Sequence, residues 1–184
     1  HWAAISSKYC ASAAFPRAAV RALTHRIEAV SDRIEGRYDL TLCSLSYHHM
    51  PYEAKVLHLQ RLKSRTDHLV LFELNADHDF PEQDSPELLF SLYQSYGRII
   101  DFVFAHDAPI ATAQACVDNF LMTEVASMLT QKRGVRTDYH MLRLQWHDLF
   151  RKVLAPEFGC LGDATCYSDE YMDLYMLHYG RLGA

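Results

Sequence analysis

The stretch from Tyr38 to Leu74 constrains the fold of this chain more than any other. "YDLTLCSL", Tyr38 to Leu45, is apolar at nearly every position after Asp39, the pattern of a strand covered on both faces of a parallel sheet. "PYEAKVLHLQRLKSR" then reads as a helix, with Val56, Leu57, Leu59 and Leu62 on its buried side. A second buried strand runs from Leu69 to Leu74. A strand, a helix and a strand in so short a span form a βαβ unit, because parallel strands need a crossover of a dozen or more residues. Its crossover is expected to be right-handed.

The rest of the chain extends this unit. Before it, Val20, Leu23, Ile27 and Val30 recur at helical spacing after Pro16, so a helix is expected over 16–32, with a polar break around Gly36. After it, two long apolar helices are expected, from about Ser85 to Ala105 and from about Pro109 to Gln131, ending near Gly134. They exceed what a simple sheet crossover needs, so residues 80–140 read as a helical lid or insertion. An amphipathic helix follows from about Arg143 to Leu154, then two strands, "GCLGDATCYSD" and "MDLYMLHYGRL", joined by a polar turn. The expected class is α/β: a Rossmann-like, mostly parallel twisted sheet with flanking helices, a helical insertion and a C-terminal antiparallel hairpin. Residues 1–184 read as a single domain. Because the chain starts at His1 rather than Met, it is expected to be a fragment or a processed product.

Composition excludes several function classes. A net charge of −5 over 184 residues, with the basic residues scattered, is not the footprint of a nucleic-acid binder. No apolar run approaches the roughly 20 residues that cross a membrane. Five cysteines, an odd count without CxxC spacing, suit reduced thiols in a cytoplasm better than a disulfide framework. The Cys and His residues do not fall into paired short spacings, so no metal site is expected. His58, His68 and His78 recur every ten residues but sit in three different predicted elements.

Open α/β sheets bind ligands beyond the carboxyl ends of their strands. Two such ends are polar here. The first carries Ser44, Ser46, Tyr47, His48 and His49; the second carries Glu73, Asn75, Asp77, His78 and Asp79. If the strands are parallel neighbours, both groups emerge on one edge, with the insertion free to close over them. For His48 and His49 two readings stay open: strand-end caps, or groups facing a ligand, where histidine can act as a base near neutrality. Glu73 is either a structural partner of a neighbouring helix or an anchor for a substrate amine. Phe90, Tyr93, Tyr96, Phe102 and Phe104 are expected to pack the core. Trp146 reads as a packing anchor, with Gln145, His147 and Asp148 around it on the exposed side. Cys43, mid-strand, reads as a small buried hydrophobe. Asn119 and Glu124, five residues apart, need not share a helix face.

"YDLTLCSLSYHHMP" followed by "LHLQRLKSRTDHLVLFELN" resembles the second half of a class I S-adenosylmethionine-dependent methyltransferase. In that family an acidic residue opens the fourth strand, as in "YDL". The strand ends in a leucine- and serine-rich stretch with a histidine pair, and the next strand is of the "LVLFE" type. The helix "QWHDLFRKVL" and the closing reversed hairpin are similar too, and the resemblance runs from about Tyr38 to Arg181. It implies methyl transfer from S-adenosylmethionine to a small-molecule acceptor at oxygen or nitrogen. By resemblance, Ser44, Leu45 and Tyr47 line the cofactor side, and His48, His49 and Glu73 face the acceptor. The family's GxGxG loop is not found: Gly36 is the one glycine in residues 1–37. The alternative is therefore a methyltransferase-like scaffold or interaction subunit without catalysis. The exposed aromatic helices permit a homodimer or larger assembly without requiring one.

Overall fold

In the computed structural model, residues 36–106 and 109–183 are described, and they belong to one unit, Gly36–Ala184. The helix expected over 16–32 lies outside the described residues, as does Cys10.

Strand β1 (Tyr38–Ser44) ends where Leu45 takes a left-handed backbone, φ 43°. An L-residue there bends the chain out of the strand, and a short 3-10 turn, Tyr47–His49, follows. Pro51 then precedes helix α1 (Tyr52–Lys63), which leads to β2 (Thr66–Leu74). β1 and β2 pair in parallel, with Leu42 beside Val70 and Ser44 beside Phe72. The βαβ unit is therefore present.

The insertion is a helical hairpin. Ser85 caps its first helix, α2 (Pro86–Leu92), its Oγ accepting from the Leu88 N–H at 3.1 Å, while Pro86 suits the first turn. A π-helical turn, Tyr93–Gly97, joins α2 to α3 (Arg98–Ala105) without a break. The returning arm repeats the device: α4 (Ile110–Cys116), a π turn over Val117–Leu121, and α5 (Met122–Thr130). Leu88, Leu92, Tyr96, Val117, Leu121 and Met128 form a core of the hairpin's own.

Helix α6 (Arg143–Leu154) packs against α1. Its Trp146 lies edge-on to Tyr47 and to Phe150, at 5.5 Å between ring centroids in each case. The chain closes with β3 (Phe158–Ser168) and β4 (Asp173–Arg181). The sheet order is β1-β2-β4-β3, with β4 antiparallel to both of its neighbours. Three strands thus run one way and β4 alone is reversed. At Gly180 a Cβ would run into the side-chain end of Leu161 and crowd the His68 ring, so a larger residue there would have to move them.

Several side chains lie on the other side of the boundary between core and solvent from the one expected. Leu40 and Leu42 are exposed, on the face of β1 opposite the buried Cys43. On α1, Leu57 is exposed, and Lys55 and His58 are buried with Leu59 and Leu62. The insertion's aromatic residues split: Tyr96 is buried, whereas Phe90, Tyr93 and Phe104 face out. His147 is buried too, bridging the Tyr179 hydroxyl at 2.8 Å and Asp163 at 3.0 Å. Trp146 and Cys43 are buried as expected, and burial pushes the Cys43 thiol up to about 12.

Candidate functional site: a carboxylate–imidazole cluster

The parallel register of β1 and β2 brings the 3-10 turn beside the end of β2. There Glu73 is buried, and its Oε1 accepts from the backbone N–H groups of Ser46 and Tyr47, at 3.0 and 2.9 Å. Its Oε2 accepts from His48 Nδ1 at 2.9 Å. One carboxylate therefore holds both the turn's backbone and the tautomer of its first histidine, since a proton on Nδ1 turns the other ring nitrogen, Nε2, outward.

Beyond His48 Nε2 lies a segment that carries no motif in the sequence. Residues 138–141, with no helix or strand of their own, lead from the insertion's second arm toward α6. The Tyr139 N–H donates to the His48 carbonyl at 2.6 Å. The His140 carbonyl accepts from the N–H groups of His78 and Asp79, at 2.9 and 3.1 Å. Held on both sides, the segment brings the carboxylate of Asp138 and the ring of His140 to His48. Asp138 Oδ1 is 3.6 Å from His48 Nε2 and 3.4 Å from His49 Nδ1, and the His48 and His140 rings stack at 4.2 Å. Asp138 and His140 were not singled out from the sequence. Nothing in their local sequence marks them as partners of the histidine turn.

Electrostatics sorts the cluster's members. The Asp138 carboxylate beside it raises His49 to about 9, against the opposing effect of its own burial. Burial pushes His140 well below the usual histidine range and His78 down to about 4, so both rings are neutral at pH 7. For Asp138, burial acts upward, but His49 and His48 outweigh it and the carboxyl is lowered. Burial, with Asp138 nearby, raises Glu124, which accepts from the Tyr96 hydroxyl at 2.6 Å.

The other residues at the two strand ends have different partners. Ser44 and Leu45 are exposed at the end of β1. The Tyr47 side chain points into the core, its hydroxyl against His58 Nδ1. Asn75 ties β2 to Asp173 and to the first N–H of α6, and Asp77 accepts from Gln145. Asp79 pairs with Lys55 at 2.7 Å and with Arg133 at 2.6 Å. His78 bonds Ser95, and His58 and His68 lie apart from it, with Tyr47 and His178. A cavity of about 340 Å³ lies between the end of β2 and the insertion, lined in part by Asn75, Asp77, Phe90, Ser95 and Leu142; none of the cluster's residues lines it.

No family model and no curated protein sequence matches the chain. Among solved structures it is similar to magnesium protoporphyrin IX methyltransferase from Synechocystis PCC 6803 with bound SAH, at 11% identity over 86% of this chain and 49% of that one, TM-score 0.45. It is similar also to the S-adenosylmethionine-dependent methyltransferase SibL in its apo form, at 12% identity over 97% of this chain and 40% of that one, TM-score 0.47. A third, LaPhzM, has 12% identity over 98% of this chain and 40% of that one, TM-score 0.48. The chain spans half or less of the length of each of these structures. No helix among the described residues is long and apolar enough to cross a membrane.

Proposed function

We propose that the chain takes part in methyl transfer from S-adenosylmethionine to a small-molecule acceptor, at oxygen or nitrogen. The observation that carries this reading is the 2.9 Å hydrogen bond from His48 to Glu73 at the shared carboxyl edge of parallel strands. With Nδ1–H committed to Glu73, Nε2 is the atom of His48 that takes a proton from an acceptor hydroxyl. His49, half exposed and holding its proton to about pH 9, suits a role in orienting an anionic or carbonyl group of the acceptor.

S-adenosylmethionine supplies a sulfonium-bound methyl, whose transfer depends chiefly on alignment with the nucleophile. The end of β1 fits contact with such a group, because Ser44 and Leu45 are exposed next to the histidine turn. Tyr47 would support them from the core side, through packing on Trp146. Free thiols at Cys43, Cys116, Cys160 and Cys166 accord with a reducing, cytoplasmic setting. Exposed Phe90, Tyr93 and Phe120 on the insertion would suit self-association.

The second reading is a scaffold without catalysis, which holds if no GxGxG loop completes the cofactor site; residues 1–37 contain a single glycine. That loop matters because the backbone must approach the cofactor closely and present N–H groups to it. Calorimetric titration of S-adenosylmethionine into the chain separates the two readings. Saturable binding with one site supports the enzyme, and no binding to either this chain or a longer one that includes it leaves the scaffold.

A further inference from the structure

We propose that His48, Asp138 and His140 form a binding site for one divalent transition-metal cation of the zinc type. Each offers one ligand atom, and the three atoms lie within 4.8 Å of one another. The site is built rather than superficial. Asp138 is 1% exposed, His140 5%, and the His48 side chain 12%.

The cluster is short of partners where a cation would supply one. Neither carboxylate oxygen of Asp138 has a hydrogen-bond partner, and neither does Nδ1 of His140. The nearest ring nitrogens to Asp138, Nδ1 of His49 and Nε2 of His48, stand at 3.4 and 3.6 Å, beyond good hydrogen-bond length. Asp138 therefore has a long ion pair with His49 but no hydrogen bond at either oxygen, which leaves room for the further partner a buried carboxylate usually has. Hydrogen bonds elsewhere have already prepared His48 as a ligand. With Nδ1–H given to Glu73, Nε2 directs its lone pair toward Asp138. This is the carboxylate–histidine arrangement that orients metal-binding imidazoles and raises their basicity.

The backbone holds the ligands in place. Tyr139, between Asp138 and His140, donates to the His48 carbonyl, and the His140 carbonyl takes two N–H groups from residues 78 and 79. Bonds of about 2.0–2.2 Å put neighbouring ligand atoms roughly 3–3.5 Å apart, so coordination requires the ligand atoms to close by about 1 Å. Much of that comes from tilting the stacked rings of His48 and His140. Two imidazoles and one carboxylate select zinc, cobalt, iron or nickel over magnesium or calcium. Three protein ligands leave a further position for water or a substrate oxygen. The inference does not rest on methyl transfer. It differs from that reading at one atom, because a metal on Nε2 of His48 occupies the lone pair that a base would use.

The test is metal binding by the full chain, stripped with a chelator and dialysed. Zn²⁺ titrated against a chromophoric chelator is expected to show one tight site per chain. Co²⁺ at the same stoichiometry should give visible d–d bands, and Cu²⁺ an electron paramagnetic resonance spectrum with two coupled nitrogens. Asp138→Asn and His140→Gln should each weaken Zn²⁺ at least tenfold, with far-UV circular dichroism as the check on folding. His178→Asn, which alters the separate His68–His178 pair, should leave the tight site unchanged. A wild-type chain with no tight site, a Cu²⁺ spectrum with no coupled nitrogen, or a tight site lost in His178→Asn would overturn the proposal. So would a tight site that both ligand substitutions leave intact. The wild-type Co²⁺ and Cu²⁺ spectra decide the matter even if a variant fails to fold.

Discussion

Two charged clusters meet at Tyr139, and they are built on opposite principles. On one side Lys55, fully buried, gives its protons to Asp79 and to the Tyr139 carbonyl, while Arg133 bridges Asp79 and Glu53. Both Asp79 oxygens are taken, and acids and bases alternate. On the other side stand Glu73, His48, His49, Asp138 and His140, where Asp138 has no hydrogen-bond partner and the bases are imidazoles. The first cluster is saturated with partners, and they hold the Lys55 ammonium in place against a burial that lowers its pKa. The second can gain or lose a proton or accept a ligand. Saturation marks a structural network, whereas a buried shortage of partners is the usual mark of a working site.

Asp79→Ala is expected to have the largest effect on stability, about 3–5 kcal/mol, because it strands the Lys55 ammonium in the core. Asp138→Asn should cost less, about 1 kcal/mol, since its ion pair with the half-exposed His49 is offset by the desolvation that the charge itself suffers. Denaturant unfolding of both variants checks the contrast, which fails if the two costs are equal. Glu73→Gln should act on chemistry more than on folding. The amide oxygen can still accept from Ser46 and Tyr47, but the NH2 cannot accept from His48. On the proposed methyl-transfer reading, kcat should fall by about 10²-fold or more with KM little changed, as measured by steady-state kinetics.

Cys43 gives a pH-dependent check on the core beside the saturated and unsaturated clusters alike. Its folded pKa of about 12 lies above the ordinary thiol value of 9.0, so folding favours the neutral thiol. Its contribution to stability is whole below about pH 9 and is lost as pH climbs toward 12. Cys43→Ala should flatten that alkaline limb of the unfolding curve. In the folded chain at pH 8, mass mapping after alkylation should find Cys43 unmodified and the exposed Cys116, Cys160 and Cys166 labelled. The smallest effect is expected at the rim of the saturated cluster. Glu53→Gln should change stability by less than about 0.5 kcal/mol, because its side chain is 67% exposed where it meets Arg133. A larger loss by thermal unfolding would mean that the network acts as one unit.

Periodicity and chain punctuation were enough for the element order from Tyr38 onward. α6 spans Arg143–Leu154 as the apolar spacing predicts, and the two insertion arms end close to Ala105 and Gln131. The π turns within those arms left no local signal, since each widens the helix without breaking its pattern. Facing was harder to read than element type. Leu57 and Lys55 on α1 exchange their expected places because a buried acceptor pair, Asp79 and the Tyr139 carbonyl, draws the lysine inward.

By itself, then, the sequence determined the βαβ unit, the helical insertion, the closing hairpin and the polar strand ends with His48, His49 and Glu73. These depend on local spacing, which a chain carries wherever it folds. Only the tertiary structure decided that Glu73 turns toward His48 while Asp79 turns toward Lys55. It alone brought Asp138 and His140, some ninety residues downstream, to the histidine turn. Local pattern cannot specify that meeting, because it depends on backbone hydrogen bonds between residues 48, 78, 79, 139 and 140 that form when the insertion returns to the sheet.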